Sequence, residues 1–299
     1  MAEKDKIEKL LEDYNDVFAD ILNVLLFEQD FIKEEQLEDG PVVSIYKSES
    51  KGLRDQYRDI AKYYKDAGLV IFECGMENES EIDNDMPIRL MGYDYGSYRR
   101  QIDKGNRRFP VITIVLNFSD RRWCKPLCLK DILEIPEGMD KYVQDYKINV
   151  FNIAYLSDET IDRFKSTFKH VAHFFKNKRL KDDYKPLNEE IKHLGAFLDF
   201  LKIFTGDKKY AEVKSELLEK QKKGQVVTMC TVVERFTNEG IQQGIQQGIQ
   251  QGIQQNQEQI IINMHEKNCN VDTISKLTGI SLETVKKSLE KNGYILENI

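Results

Sequence analysis

The sequence predicts an α/β core followed by helical segments, and three observations point to it. Residues Leu69 to Glu79 and Phe109 to Leu116 are nearly continuous apolar runs, the pattern of strands at a sheet centre covered on both faces. Met86 to Ile102, between them, carries helical spacing with Pro87 in its first turn. After residue 157 the apolar residues recur at helical rather than strand intervals.

In chain order, Ile7, Leu10, Leu11, Tyr14, Val17, Phe18, Ile21, Leu22 and Leu25 form one apolar stripe and predict a single long helix. At about 100° per residue Asp20 lies nearer the edge of that stripe than Asp16, which points away from it. Pro41 to Tyr46 alternates and is rich in β-branched residues, so a strand is expected. Arg54 to Lys65 suits a helix by propensity or a strand leading through Asp66-Ala67-Gly68 into the apolar run. Local sequence leaves both open. Residues 69–79 are read as a strand that the polar cluster Ser80 to Asp85 and Pro87 stop. In the helix from Met86, Ile88, Met91, Tyr95 and Tyr98 share one side and predict the buried face. A further strand is expected within Tyr146 to Tyr155, then helices over 158–175, 187–204 and 210–220.

Gly240-Ile241-Gln242-Gln243 opens a tetrad repeated to Gln255. It places one Ile on each helical turn, drifting about 40° per repeat, while each Gly weakens the helix by about 1 kcal/mol relative to Ala. A spacer, helical or flexible, is expected, with self-association through the Ile stripe as the other reading. Beyond it, Ser275, Gly279 and Val285 sit where two helices crossing over a tight turn need small, flexible and apolar residues, and Ser281 suits an N-cap. The unit reads as helix-turn-helix-like, although its lysines are matched by acids and lack the charge that duplex binding needs. The expected domains are a core over 1–180, a helical extension over 181–239, the repeat linker over 240–257 and the small tail over 258–299.

Composition narrows the function classes. With 44 Lys and Arg against 51 Asp and Glu the net charge is −7, which disfavours a surface basic everywhere but allows a local basic groove. The five cysteines form no Cys-x-x-Cys pair and the four histidines are scattered, so no zinc site is expected and the thiols read as reduced. No segment approaches the roughly 20 apolar residues of a membrane helix. The expectation is a cytoplasmic protein without a nucleotide cofactor.

The chemistry lies at the end of the first apolar run. Glu77 and Glu79 are two apart on a strand and share a face, with Asp59 on the segment before it. Carboxylates at the end of a buried strand are costly unless a cation offsets them, which points to a divalent ion and phosphodiester chemistry. Asn15 to Ile21, Arg58-Asp59-Ile60, Glu77-Asn78-Glu79-Ser80 with Asp83, Met86-Pro87, Arg89 and Tyr93, then Arg122-Trp123 and Phe164-Lys165-Ser166, together resemble the Rpn family of recombination-promoting nucleases and putative transposases. That family belongs to the PD-(D/E)xK nuclease superfamily, and the resemblance runs over about residues 10 to 235.

The resemblance implies a PD-(D/E)xK-like core with a central mixed sheet flanked by helices, in which the segment from about Asp59 is a strand paired with 69–79. It implies a Mg-dependent (or Mn-dependent) DNA endonuclease linked to recombination or mobile elements. Asp59 and Glu77 match the metal-binding acids of the superfamily motif. Glu79 stands at the position that is Lys in the superfamily and commonly Gln in the family, where it would bind metal or take a proton from water. Of the first-helix acids Asp20 has the better direction for a third ligand. Lys62, Arg89, Tyr93, Tyr98 and Gln101 are candidates for supporting or phosphate contacts, Lys62 also as a substitute for the missing lysine. The rival readings are a nuclease-fold protein that binds DNA or a partner without catalysis, and an oligomerising scaffold built on 240–255.

Overall fold

The computed structural model describes residues 11–48, 52–105, 107–181 and 185–294, and the chain forms two compact units, Met1–Val232 and Val233–Ile299. The first unit is built on a mixed sheet of five strands in the order β1-β4-β5-β6-β7: β1 (Leu37–Asp39), β4 (Ile60–Asp66), β5 (Leu69–Glu79), β6 (Val111–Asn117) and β7 (Asn149–Asn152). β2 (Val43–Ser48) and β3 (Gly52–Tyr57) pair as a separate antiparallel ribbon.

The alternatives left open over Arg54 to Lys65 resolve as two strands, β3 and β4, broken at Arg58-Asp59. Ala67 (φ 46°) and Gly68 (φ 78°) make the two-residue left-handed turn that a tight hairpin requires, so β4 returns antiparallel along β5 with Ile60 opposite Met76. β5, β6 and β7 are parallel neighbours, and the connection from β5 to β6 passes through helix α2 (Met86–Asp103). The carboxyl ends of all three parallel strands therefore lie along one edge of the sheet.

β5 divides its side chains between two environments. Cys74 and Met76 point into an apolar layer, whereas Glu73 and Glu77, buried to 1% exposure each, point toward α2. This explains why the buried face of α2 departs from the expected one. Ile88, Met91, Tyr95 and Tyr98 are exposed, and Met86, Leu90, Tyr93, Asp94, Ser97 and Gln101 are buried. The helix covers a charged strip, so the face it buries carries partners for that strip and its apolar residues at 88, 91, 95 and 98 are left outside.

Arg58 is the centre of that strip. Its Nη1 donates to Glu73 Oε1 at 3.0 Å and its Nη2 to Asp94 Oδ1 at 3.0 Å; Ser97 and Arg100 add further hydrogen bonds to Glu73. Gly75 lets the guanidinium lie flat on the strand: a Cβ there would stand 2.4 Å from Arg58 Cδ and 2.6 Å from Nε. Because two acids hold Arg58 in place it has nowhere to retreat. Gly75→Ala is expected to cost about 1–3 kcal/mol in a denaturant melt, and a cost near zero would show that Arg58 is free to move.

The first helix is interrupted. Leu11 and Glu12 are helical, Asp13-Tyr14 turn, α1 (Asn15–Ile21) resumes, and Leu22–Leu26 continues as a π-helical turn. The single long helix expected there is thus corrected at residues 13 and 14; its first part, 7–10, lies outside the described residues. Tyr14 leaves the helix in extended conformation and stacks on His193 at 3.7 Å, which fixes the break. Behind the sheet, Phe118, Phe168, Phe175 and Phe200 form an aromatic cluster that seats helix α4 (Phe168–Leu180). The helix expected over 158–175 is split into α3 (Asp158–Arg163) and α4, and α5 (Leu194–Thr205) and α6 (Lys209–Lys222) complete the unit.

In the second unit the glycine tetrads are helical throughout, as part of α7 (Met229–Glu266), whose first turn belongs to the first unit. Ile241, Ile245, Ile249 and Ile253 stand 54–59% exposed along it. α8 (Val271–Thr278) and α9 (Leu282–Lys291) follow, joined through Gly279 at φ 72° with Ser281 Oγ accepting from Thr284 N. Ile274, Val285 and Leu289 bury against Ile261 as a small core.

Candidate functional site

The carboxyl end of β5 and the bend before β4 bring Asp59 and Glu77 together by two backbone contacts. Asp59 N donates to Glu77 Oε1 at 3.0 Å, and Asn78 N donates to Asp59 Oδ2 at 2.9 Å. Each acid is thereby oriented by the other's strand. Glu79, next on the same face, meets Arg89 Nη1 at 2.9 Å; the same nitrogen reaches Asp83 Oδ2 at 2.7 Å, and Nη2 reaches Glu77 Oε2 at 3.1 Å. One guanidinium from α2 therefore spans Glu77, Glu79 and Asp83.

Glu12 was not anticipated. The break after it turns its buried carboxylate to Asn78 Nδ2, a short hydrogen bond on the opposite face of β5 from Glu77. On an unbroken helix only Asp16 and Asp20 compete for the site; the signal for Glu12 in the sequence is its position directly beside Leu11 in the stripe. The structure engages those other acids elsewhere. Asp20 Oδ2 accepts from Lys165 N and Ser166 N at 2.9 and 2.7 Å, and Asp16 pairs with His193 Nε2 at 2.8 Å. The carboxylate beside the Asp59–Glu77 strand that comes from the first helical segment is Glu12.

Burial sets the electrostatics. It is the largest cause raising Glu77, with Asp59 next. Burial pushes Glu12 up to about 8, with Asp59 adding to it, and Glu79 up to about 7 despite Arg89. Tyr93, pushed up to about 12 by burial and then by Glu77, donates its hydroxyl to Tyr57 O at 2.8 Å and remains protonated. The site holds more negative potential than its single arginine offsets.

The supporting candidates separate. Arg89 and Tyr93 touch the acids or their neighbours. Lys62 does not serve as the missing lysine: its buried Nζ pairs with Asp39 at 2.6 Å and Asp13 at 3.5 Å, 5.8 Å from the Phe18 ring. Gln101 spends its amide on Phe109 N and O, and Tyr98 OH accepts from Val111 N, so both fasten α2 to the start of β6.

Among the described residues no three His, Cys, Asp or Glu side chains converge as a ready-made metal cage. Two do meet, Asp59 and Glu77, and a Mg²⁺ ion takes one or two carboxylates with waters completing its shell. That donor set, oxygen only, with Glu77 buried and Asp59 half-buried, fits Mg²⁺ or Mn²⁺ better than zinc. With Arg89 as the resident cation, Arg89→Met is expected to cost the metal-free protein about 1–2 kcal/mol, modest because the guanidinium is 36% exposed. Mn²⁺ should then raise the melting temperature of the variant more than that of the wild type; an equal rise would show that Arg89 does not compete for the acids.

No helix among the described residues is long and apolar enough to cross a membrane. No curated protein and no solved structure matches the chain. Residues 61–201 match a family model described as "Putative transposase, YhgA-like", a span that holds Glu77, Glu79 and Arg89 and begins just after Asp59. Over that span, which runs from β4 through β5, α2, β6 and β7, the chain is similar to this putative transposase family, in keeping with the resemblance read from the sequence.

Proposed function

We propose that the protein is a metal-dependent DNA endonuclease acting in recombination or element mobility, with its centre at Asp59 and Glu77. The observation that carries the reading is the mutual orientation of these two acids, Glu77 at the end of β5 inside the span that matches the transposase family and Asp59 at the bend just before it. A divalent ion bound there supplies Lewis acidity and a more acidic water. Asp59 and Glu77 would hold it, and Glu12, through Asn78, keeps the backbone of the strand end in register.

Glu79 would take the proton. With its carboxyl raised to about 7 it is part ionised near neutrality, the range in which a general base works best. Water oxygen would attack phosphorus while Glu79 receives the water proton, and the sugar oxygen would leave with the electron pair of the broken phosphorus–oxygen bond and take a proton from solvent. Arg89, bound to both Glu77 and Glu79, orients them and supplies the positive charge that a lysine at position 79 would bring in the superfamily motif. Incubating the full chain with supercoiled plasmid tests the reading: nicking with Mg²⁺ or Mn²⁺ that stops with EDTA supports it, and intact plasmid under both ions opposes it.

A second reading concerns assembly. Four exposed isoleucines at four-residue spacing on an unbroken helix suit a contact between copies of the chain. Light scattering should show a smaller mass when Ile241, Ile245, Ile249 and Ile253 are changed to Gln. An unchanged mass would leave α7 a spacer.

A further inference from the structure

A cavity of about 220 Å³ opens where β5, β6 and β7 end, between their carboxyl termini and the last turns of α4. In open α/β sheets this edge is where ligands sit. Ser80, the residue after Glu79, lines it, and Phe118 N is bonded to Glu79 O at 2.8 Å, so the cavity adjoins the candidate centre through the strand end itself.

Its walls are chemically specific. Arg179 is fixed on two sides: Nε donates to Ala154 O at 2.8 Å, and the guanidinium lies 4.4 Å from the Tyr155 ring centroid, whose hydroxyl in turn donates to Asp120 O. Among the described residues neither terminal nitrogen of this oriented fork has a hydrogen-bond partner, which leaves both to face a ligand. Lys178 meets only the Phe175 ring, at 5.9 Å, and among the described residues neither Lys178 nor Arg179 pairs with an acid. Ser119, 7% exposed, accepts from Arg121 N and keeps its own hydroxyl proton to donate. Asp120 also lines the cavity, one exposed acid against two cations. A rigid guanidinium, an ammonium and hydroxyls around a concave site are the donors that a phosphate group selects.

We infer that this cavity binds a backbone phosphate of the nucleic-acid strand beside the one cut at Asp59 and Glu77. The inference rests on the endonuclease reading for its position and on its own donors for its chemistry. It assigns Lys178 and Arg179 to substrate binding and gives the negatively charged chain a local cationic seat next to its acids.

Full-length protein in EDTA, titrated with a fluorescein-labelled duplex between about 50 and 200 mM KCl, tests it by anisotropy. Lys178→Gln/Arg179→Gln should weaken binding about tenfold at low salt and flatten the log–log salt slope by about 1, the signature of one lost phosphate contact. Lys192→Gln, in the separate cavity lined by Asp16 and Asp20, should leave both unchanged. Cations in the last turn of a helix also favour its terminus; a lowered melting temperature with an unchanged salt slope would assign them to that role and overturn the inference. So would a wild type that does not bind the duplex, or inorganic phosphate that protects only the wild type from heat while duplex binding is the same in both. Should the double variant not fold, Lys178→Gln alone decides, since among the described residues its ammonium makes no hydrogen bond or ion pair and only approaches the Phe175 ring. A flattened slope without metal-dependent nicking removes the endonuclease and keeps the subsite; nicking with an unchanged slope does the reverse.

Discussion

Glu77→Ala is expected to lower metal-dependent plasmid nicking by about 10³-fold, the several kcal/mol that a bound ion contributes to phosphodiester cleavage at about 1.4 kcal/mol per decade. Fold loss would mimic this, so Glu77→Gln is the paired variant. Burial holds the Glu77 carboxyl above its usual range, and a neutral amide in its place removes a charge that the folded chain accommodates poorly. Glu77→Gln should therefore melt at or above the wild-type temperature while nicking as slowly as Glu77→Ala. Nicking within tenfold of wild type for both variants would remove Glu77 from the centre.

Glu12 carries the second large effect, on stability rather than rate. Its carboxyl is raised to about 8 against 4.5 in the unfolded chain. Below pH 4.5 both states hold the proton and no penalty exists; from there to about 8 the unfolded chain releases it while the folded chain keeps it. The metal-free protein must lose stability as pH rises across that window, by on the order of 4 kcal/mol from this group. Glu79, raised to about 7, adds to the same slope over its lower part. Glu12→Gln removes the titration and offers an amide N–H to Asn78 Oδ1, which is buried without a partner. Denaturant melts in EDTA at pH 5, 6, 7 and 8 should show a flatter pH dependence in this variant and higher stability at pH 8. Parallel curves for the two proteins would show that Glu12 is ionised like an exposed acid.

Much of the sheet was legible because strands buried on both faces write themselves as apolar runs: β5 spans Leu69–Glu79 as read, β6 (Val111–Asn117) overlaps the run expected over 109–116 and ends one residue past it, and β7 falls within its expected segment. Periodicity failed where burial and hydrophobicity part company. α2 hides Asp94, Ser97 and Gln101 and shows Ile88 and Tyr95 to solvent because the strand beneath it is charged, and nothing local announces the charge of a neighbour distant in sequence. The same cause hid Arg58 and Glu73, a buried ion pair whose members are ordinary polar residues in the sequence. Glu12 was missed for a different reason. Its direction depends on a break at Asp13-Tyr14, held by Tyr14 on His193, a contact with a residue far along the chain. Lys62 shows the converse, a residue near the acids in sequence that stands opposite Cys74, on the other face of the sheet from Glu77, with its charge taken by Asp39 and Asp13.

A divalent ion at Asp59 and Glu77 is central to the proposed chemistry, and Mn²⁺ binding to the purified full chain, followed by electron paramagnetic resonance without DNA, tests it most directly. One Mn²⁺ per chain in the wild type, lost in Asp59→Asn/Glu77→Gln while the fold persists by circular dichroism, is the predicted result. Mn²⁺ bound equally by wild type and double variant, or by neither, would contradict it.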